Sequence, residues 1–290
     1  MSQFQPQPLP QPQPQLLPQQ LLPQSQHELP QPTTHRPFLK SRTTTVRTFL
    51  LEDIRTDALL ESELLLLSFA TGIQDAAAWP DYACFASNQT GNALFLAIAA
   101  ANLHHNAYSV PNIAVSLALF VAGALVFGQL GHALGPRRRV WLLASNVVQT
   151  ALVFVALLVQ TAGPVRRDGP AAMSVIACLA FSSGAQVAMS RGLGVPEITT
   201  AMATAAFVDV VVDPGLGRLR NRGRTRRVLF LMMLTAGCFV GAFAQRGVGS
   251  QFPLLLCAAG KAVVCVGVLF NRPVVRQEEE EDEEGEELKV

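Results

Sequence analysis

The chain has 290 residues, of which 50% are hydrophobic and only 15% are charged, and its mean hydropathy is +0.30. Because soluble domains carry about 25% charged residues, this composition argues against a soluble domain and favours an integral membrane protein. The near-balance of 22 basic and 21 acidic residues hides an acidic run, EEEEDEEGEE, at residues 278–287. Without that run the chain is basic, which predicts a basic membrane body followed by an acidic tail.

The amino-terminal region is rich in Gln and Pro, as in QPQPLPQPQPQ within residues 1–32. This composition cannot bury an apolar core and predicts disorder. It also lacks the basic start and apolar core of a signal peptide, so the first span, near Leu64, is expected to act as the insertion signal. We therefore predict a disordered Gln/Pro-rich and then basic cytoplasmic tail over 1–60, a transmembrane domain over 62–272, and a disordered acidic tail over 273–290.

Eight apolar segments follow, and two of them, 90–103 and 198–212, are short. A bilayer core of about 30 Å requires about 20 helical residues, so these two are too short to cross as ordinary helices. If neither crosses, most Lys and Arg residues and both termini lie on the cytoplasmic side, whereas eight crossings would put Arg137–Arg139 on the opposite side. The sequence thus predicts an all-α membrane protein with six transmembrane helices and two short broken or re-entrant helices. The six predicted spans are 64–79, 112–134, 140–162, 171–190, 228–245 and 253–270.

The transmembrane domain shows a weak internal repeat between halves at about 62–165 and 170–272. GIQDA at Gly72–Ala76 returns as GAQVA at Gly184–Ala188, and VAGALVFG returns as TAGCFVGA at an offset of 114 residues. The two short segments occupy matching places in the halves. Three crossings per half would insert the halves in opposite orientations, the inverted repeat common in secondary transporters, whereas four crossings would make the repeat parallel.

The motifs at the start of the domain suggest a family. GIQDAAAW at Gly72–Trp79, FASNQTGN at Phe85–Asn92, a Gly-rich third helix and a degenerate second copy together resemble the YoaK family of polytopic membrane proteins, also called domain of unknown function 1275. The resemblance covers about residues 62–272. It implies about six helices and brings no established substrate.

Polar residues in and beside the first two segments are the candidate ligand-binding residues. Asp75 in an apolar helix would cost about 2.5–3.5 kcal/mol at the bilayer centre, so we expect it to bind a cation, a proton or an amine, to lie near the helix end as a hydrated or capping group, or to form a structural ion pair. Asn88, Thr90 and Asn92 place amide and hydroxyl groups where the first N–H groups of a helix lack partners. Gly91 lets a backbone or a ligand approach closely. The alternative is an ordinary capped helix at the interface.

The NQT triplet that begins at Asn88 is also an N-glycosylation sequon. Its use would place Asn88 in an exposed loop and exclude a buried cavity there.

Three further residues complete the predicted ligand site. Gln74 precedes Asp75, while Gln186 and Lys261 are the candidates in the second half. Because ionisable residues inside membranes usually find partners, Lys261 is expected to pair with Asp75 or Asp209, or to extend its amine to an interface.

The function predicted from these residues is secondary transport of a small molecule or an ion, with the lipid bilayer and that ligand as partners. The sequence lacks the GxxxxGK[ST], HExxH and GxSxG motifs, so we expect no enzyme activity. Five cysteines without CxxC spacing or a nearby His predict neither metal nor disulfide, and no cofactor is expected. The basic segment RLRNRGRTRR is expected to contact anionic lipid, not nucleic acid. The alternative is a non-transporting membrane scaffold or regulator that acts through its disordered tails.

Overall fold

A computed structural model describes residues 42–103, 107–218 and 220–274, and these ranges form a helical protein. Helices form where the sequence predicted apolar segments, and an additional helix, α1, precedes the first of them. Of the two predicted tails, residues 1–41 and 275–290 lie outside the described residues, whereas 42–60 form one helix and the start of the next, so this part of the predicted amino-terminal tail is largely helical. The helices in these ranges are α1 (Arg42–Leu51), α2 (Ala58–Tyr82), α3 (Gln89–Ala100), α4 (Val110–Leu134), α5 (Arg139–Thr161), α6 (Pro170–Gly192), α7 (Ala203–Val211), α8 (Arg222–Gly247) and α9 (Gln251–Gly267).

The helices have the length and composition of membrane helices. Among the described residues, α4, α5, α6 and α8 are long and apolar enough to cross a bilayer, and α9 is apolar but only 17 residues long. Large apolar side chains such as Val121, Leu125 and Phe243 point outward, whereas many buried positions carry Ser, Asn or Gln. Apolar side chains on the outside and polar side chains in the interior are expected when lipid, in place of water, surrounds the protein. The chain is a helical membrane protein.

Close backbone contact joins α2 to α8. A Cβ atom built on Gly72 would lie 2.2 Å from the carbonyl oxygen of Leu234, and one built on Gly237 would lie 2.1 Å from that of Phe69. No real Cβ fits at such distances, so both glycines are required for the helices to touch. Gly237 begins the GxxxG pair of α8, a motif that permits this approach in membranes.

The same contact joins α4 to α6. A Cβ on Gly123 would lie 2.3 Å from the carbonyl oxygen of Phe181, and one on Gly184 would lie 2.0 Å from that of Phe120. Each of these two helix pairs takes one helix from each half of the domain.

Polar contacts define one end of the bundle, which we call the Arg139 end. Arg139, the first residue of α5, is buried and donates to the carbonyl oxygens of Val268 and Asn271, which follow α9. Glu61, before the apolar run of α2, accepts hydrogen bonds from Arg226 of α8, and the bond from Arg226 lowers the pKa of this carboxyl. The starts of α2, α5 and α8 and the end of α9 therefore meet at this end.

Other contacts define the opposite end, which we call the Asp81 end. Asp81, near the end of α2, accepts hydrogen bonds from Gln160 of α5 at 3.1 Å and Gln245 of α8 at 2.7 Å. Asn112, in the first turn of α4, donates to the carbonyl oxygen of Tyr82 at 2.8 Å. The segment between α2 and α4, which contains α3, thus starts and finishes at the same end of the bundle.

The segment between α6 and α8 also starts and finishes at one end of the bundle, in this case the Arg139 end. Leu193, just after α6, accepts a hydrogen bond from Arg137, and Glu197 pairs with Arg226 at 3.3 Å. Because α8 begins there too, the segment that contains α7 also returns to the end at which it started.

Candidate functional site

Asp75 draws the loop before α3 into the bundle. It lies about two turns, or about 10 Å, before the end of α2. Its carboxylate accepts hydrogen bonds from the backbone N–H of Ala86 at 2.9 Å and of Ser87 at 2.8 Å, and from the Ser87 hydroxyl at 2.5 Å. The chain therefore turns back after α2, and α3 begins at the depth of Asp75.

The polar residues at the start of α3 hold this turn in place. Asn92 is fully buried, donates to the carbonyl oxygen of Phe85 at 2.8 Å and accepts from its N–H at 3.0 Å. Asn88 caps the helix by accepting from the N–H of Gly91 at 3.3 Å. Thr90 is exposed. A Cβ on Gly91 would lie 3.0 Å from the Phe85 ring, so this glycine lets the ring pack against the helix start.

A cavity of about 600 Å³ lies beside Asp75. Its walls come from α2, the loop before α3, the start of α7 and the middle of α8, and Asp75 is the one formally charged side chain among the described residues that line it. Much of the wall is apolar. The polar and aromatic side chains of the wall include Asp75, Trp79, Phe85, Asn88, Thr204 and Phe239.

Both short helices begin at this cavity and run in opposite directions. From the cavity, α3 leads towards the Asp81 end, where the N–H of Ser109 donates to the carbonyl oxygen of Ala83. The first turn of α7, with Thr204, lines the same cavity. Towards its other end, Asp209 of α7 pairs at 3.4 Å with Arg227, which lies near the start of α8 at the Arg139 end.

The other predicted site residues form a separate buried network. The Lys261 ammonium of α9 donates to the side-chain oxygens of Gln186 at 2.5 Å and Gln149 at 3.2 Å. Gln186 in turn donates to the Thr71 hydroxyl at 2.9 Å. Gln74 lies in the same buried interior and donates to the Ser183 hydroxyl at 2.7 Å. We call these side chains the lysine network.

The prediction that Lys261 pairs with Asp75 or Asp209 is wrong. Asp75 accepts hydrogen bonds from the loop before α3, and Asp209 pairs with Arg227. Lys261 is only 2% exposed, so its amine does not reach an interface either. The reason is that α9 packs against α5. At the depth of the Lys261 ammonium, Gln149 of α5 and Gln186 of α6 present side-chain oxygens that accept its hydrogen bonds.

The structure adds aromatic residues that the sequence reasoning did not include. Trp79 follows Asp75 by one turn, and Gly72, Asp75, Ala76 and Trp79 recur at the spacing of one helix face. That spacing could have indicated Trp79. Phe239 comes from the other half of the chain, and no local signal in the sequence brings it to this cavity.

Within the described parts of the chain, no three His, Cys, Asp or Glu side chains come together so as to hold a metal ion. The five cysteines are free thiols, and Cys238 lines the cavity.

A match to a protein family covers the helices that build the cavity. The family described as "Protein of unknown function (DUF1275)" matches residues 64–267. The chain belongs to the DUF1275 family. The matched range runs from α2 to the end of α9, so it includes both the cavity and the lysine network, and it confirms the resemblance to YoaK proteins. Comparison with curated proteins gave no match, and comparison with solved structures gave none.

Proposed function

We propose that this DUF1275 protein is a secondary transporter that carries a small molecule through the cavity beside Asp75. One observation carries the proposal: two short helices from the two halves of the chain begin at the same cavity and run from it towards opposite ends of the bundle. Half-helices that meet at a central site are the recurrent binding arrangement of transporters with inverted repeats.

Reciprocal contacts between the halves support an internal repeat. Gln74 of the first half bonds Ser183 of the second, and Gln186 of the second half bonds Thr71 of the first. The same spacing of 112 residues separates Gln74 from Gln186 and Thr71 from Ser183. The two contacts are thus related by exchange of the halves, as are the α2–α8 and α4–α6 glycine contacts.

The positions of the helix ends support six crossings. The segments with α3 and α7 each return to the end of the bundle at which they started, so each half crosses three times and the halves are inverted. The positive-inside rule places the Arg139 end, with Arg137 and the starts of α2 and α8, in the cytoplasm. Residues 42–57 and 268–274 lie at that end.

The glycine contacts suggest which parts move. In α2–α8 and α4–α6 the backbones touch, so each pair behaves as one rigid unit, while polar side chains join the units to each other. Rocking of one unit against the other would expose the cavity first to one side and then to the other. In this mechanism Asp75 binds the charged part of the ligand, and the loop that it holds closes the cavity around the rest.

Cysteine labelling tests the crossing number on which this proposal depends. In a variant without the five native cysteines, single cysteines would replace Leu51, Leu134, Gly163, Gly217 or Gly247. A Cβ at each of these glycines meets no atom within 4 Å, and Leu51 and Leu134 are each 45% exposed, so all five changes are expected to be tolerated. An impermeant maleimide is then applied from each side.

We expect the cysteines at 51, 134 and 217 to react from one side, and those at 163 and 247 from the other. Opposite sides for 51 and 134 would mean that α3 crosses the membrane, and the same side for 134 and 247 would mean that α7 crosses. If both occur, the repeat is parallel, and the proposal of an inverted-repeat transporter is wrong.

A further inference from the structure

We infer that the cavity binds an organic cation, a protonated amine on an apolar, partly aromatic body. The inference rests on the proposed function, because it names the ligand class of the same site.

The charged group of the cavity wall is the carboxylate of Asp75, and no cationic side chain of the described ranges pairs with it. Asp75 receives its hydrogen bonds from neutral donors of Ala86 and Ser87. No Lys or Arg of the described ranges lies within 4.0 Å of its carboxylate. In a low-dielectric interior a charge without a counter-ion attracts a ligand of opposite sign strongly.

A second acceptor lies next to Asp75. Pro80, within α2, has no N–H, so it cannot donate the helical hydrogen bond to the carbonyl oxygen of Ala76. Ala76 and Pro80 both line the cavity. A carbonyl released by Pro80 and a carboxylate on adjacent residues suit an ammonium group, which has several N–H donors and no acceptor.

The rest of the wall fits an apolar body. Trp79 stacks on Phe85 with ring centroids 4.8 Å apart, which gives a fixed aromatic surface near the carboxylate. Phe239, which is 61% exposed, lines the wall from α8. Aromatic faces also attract cations, by about 0.5–2 kcal/mol. A volume of about 600 Å³ matches sites for organic ligands and far exceeds the space of one bare metal ion.

The start of α7, which also lines the cavity, has the opposite preference. A helix start carries a partial positive charge of about half an elementary charge, which falls off within one turn. An ionised Asp75 carboxylate paired with a bound ammonium carries a full charge, which exceeds this partial charge, so a cation is favoured over an anion.

Three probes with one body separate these preferences: 4-phenylbutylamine, 4-phenylbutan-1-ol and 4-phenylbutanoate. The full chain with Trp141→Phe would be placed in lipid nanodiscs, which leaves Trp79 as the remaining tryptophan, since the sequence has two. Its fluorescence then reports binding in the cavity. We expect the amine to bind at least tenfold more tightly than the alcohol and the acid. Equal binding of amine and alcohol, or tighter binding of the acid, would overturn the inference.

Substitution of the carboxylate gives the second test. With Asp75→Asn, the affinity for the amine should fall to within about twofold of that for the alcohol, while the alcohol binds as before. A tenfold preference for the amine that survives this change would show that Asp75 does not select the ligand.

A third test does not disturb the loop that Asp75 holds. Thr204→Lys adds a tethered ammonium to the cavity wall, and Thr204→Met is the matched control of similar length. The Lys variant should lose the preference for the amine and the Met variant should keep it. If both variants bind the amine alike, the electrostatic account is wrong, even where Asp75→Asn fails to fold.

These measurements require binding and not transport. Selective binding of the amine without uptake into proteoliposomes would overturn the proposed transport and leave the ligand class intact. Inverted topology without selectivity for the amine would overturn the ligand class and leave the proposed transport intact.

Discussion

Lys261 shows how a single charge is held inside this bundle. Its ammonium lies between the side-chain oxygens of Gln149 and Gln186, with no carboxylate of the described ranges in ion-pair distance. A lysine at the bilayer centre costs about 2.5–3.5 kcal/mol on insertion scales, and hydrogen bonds from a charged donor return about 1.5–3 kcal/mol each. At the lower end of that range the two bonds together return about 3 kcal/mol, which nearly balances the cost, so the lysine contributes little net stability.

Because of this balance, removing the lysine should change the free energy of unfolding less than removing one of its acceptors. Lys261→Met removes the charge together with its hydrogen bonds and should change the free energy of unfolding by less than about 1 kcal/mol. Gln186→Leu leaves the ammonium with one acceptor and should cost about 2–3 kcal/mol. Thermal unfolding in detergent measures both, and the double variant should be more stable than Gln186→Leu alone. A Lys261→Met variant less stable than Gln186→Leu would contradict this account.

At the residue scale, the sequence indicated which side chains matter but not what they contact. Asp75 and Asn92 stood out because they are polar residues within apolar segments. The contact of Asn92 with the backbone of Phe85 depends on the chain turning back into the bundle, which spacing alone does not reveal. The partners of Lys261 lie in α5 and α6, far away in sequence, and only tertiary packing identifies them.

At the scale of elements, glycines decide how closely the helices pack. Along α4, Gly123 touches the backbone of α6, whereas a Cβ on Gly128 would meet its nearest atom, the Cβ of Ala188, at 4.0 Å. The two glycines lie in the same helix and differ only in the space available, which makes them a matched pair.

Alanine at these positions should therefore have opposite effects. Gly123→Ala forces α4 and α6 apart and should lower the free energy of unfolding by about 1–3 kcal/mol. Gly128→Ala fits without displacement and should be neutral or stabilise by up to about 1 kcal/mol through helix propensity. The midpoint of thermal unfolding of the purified variants compares them. Equal midpoints would show that the close contact at Gly123 is not required.

Predicted and observed elements agree where an apolar run is long. All six predicted spans contain a helix, and both short segments contain a short one. The helix α1 was not predicted, because RTTTVRTFLL is not an apolar segment, and part of its support comes from a tertiary contact in which the Arg139 guanidinium lies 3.9 Å from the Phe49 ring centroid. The start of α7 was predicted at residue 198 but lies at Ala203, because Thr199 forms a turn with Met202 and Thr200 has a φ of 62°.

At the scale of the whole molecule, the cavity and the contacts that build it lie within residues 42–274. The charge pattern predicted that basic segments gather on one side, and the contacts of Arg139 and Arg226 bring such segments to one end of the bundle. Apolar length alone could not predict this arrangement, because it does not say whether α3 and α7 cross.

Removal of both terminal regions separates transport from a scaffold function. A chain without residues 1–41 and 275–290 keeps α1, whose Phe49 contacts Arg139, and keeps every residue of the cavity. It should take up 4-phenylbutylamine into proteoliposomes at a rate within about twofold of the full chain. The Asp75→Asn chain with both tails is the control and should be inactive. Loss of activity on truncation alone would instead favour a role exerted through the tails.

The pairing of α2 with α8 also sets the order in which the molecule is completed during synthesis. On the ribosome α2 emerges early, whereas the helix that covers its Gly72 face begins only at Arg222. Until then the Gly72 face of α2 meets water, lipid or the insertion machinery, although Ser183, which bonds Gln74, and the loop that Asp75 holds have already been made. The closest helix contact of α2 therefore forms late, after most of the chain has been translated, and a product that stops before α8 presents this uncovered face to cellular quality control.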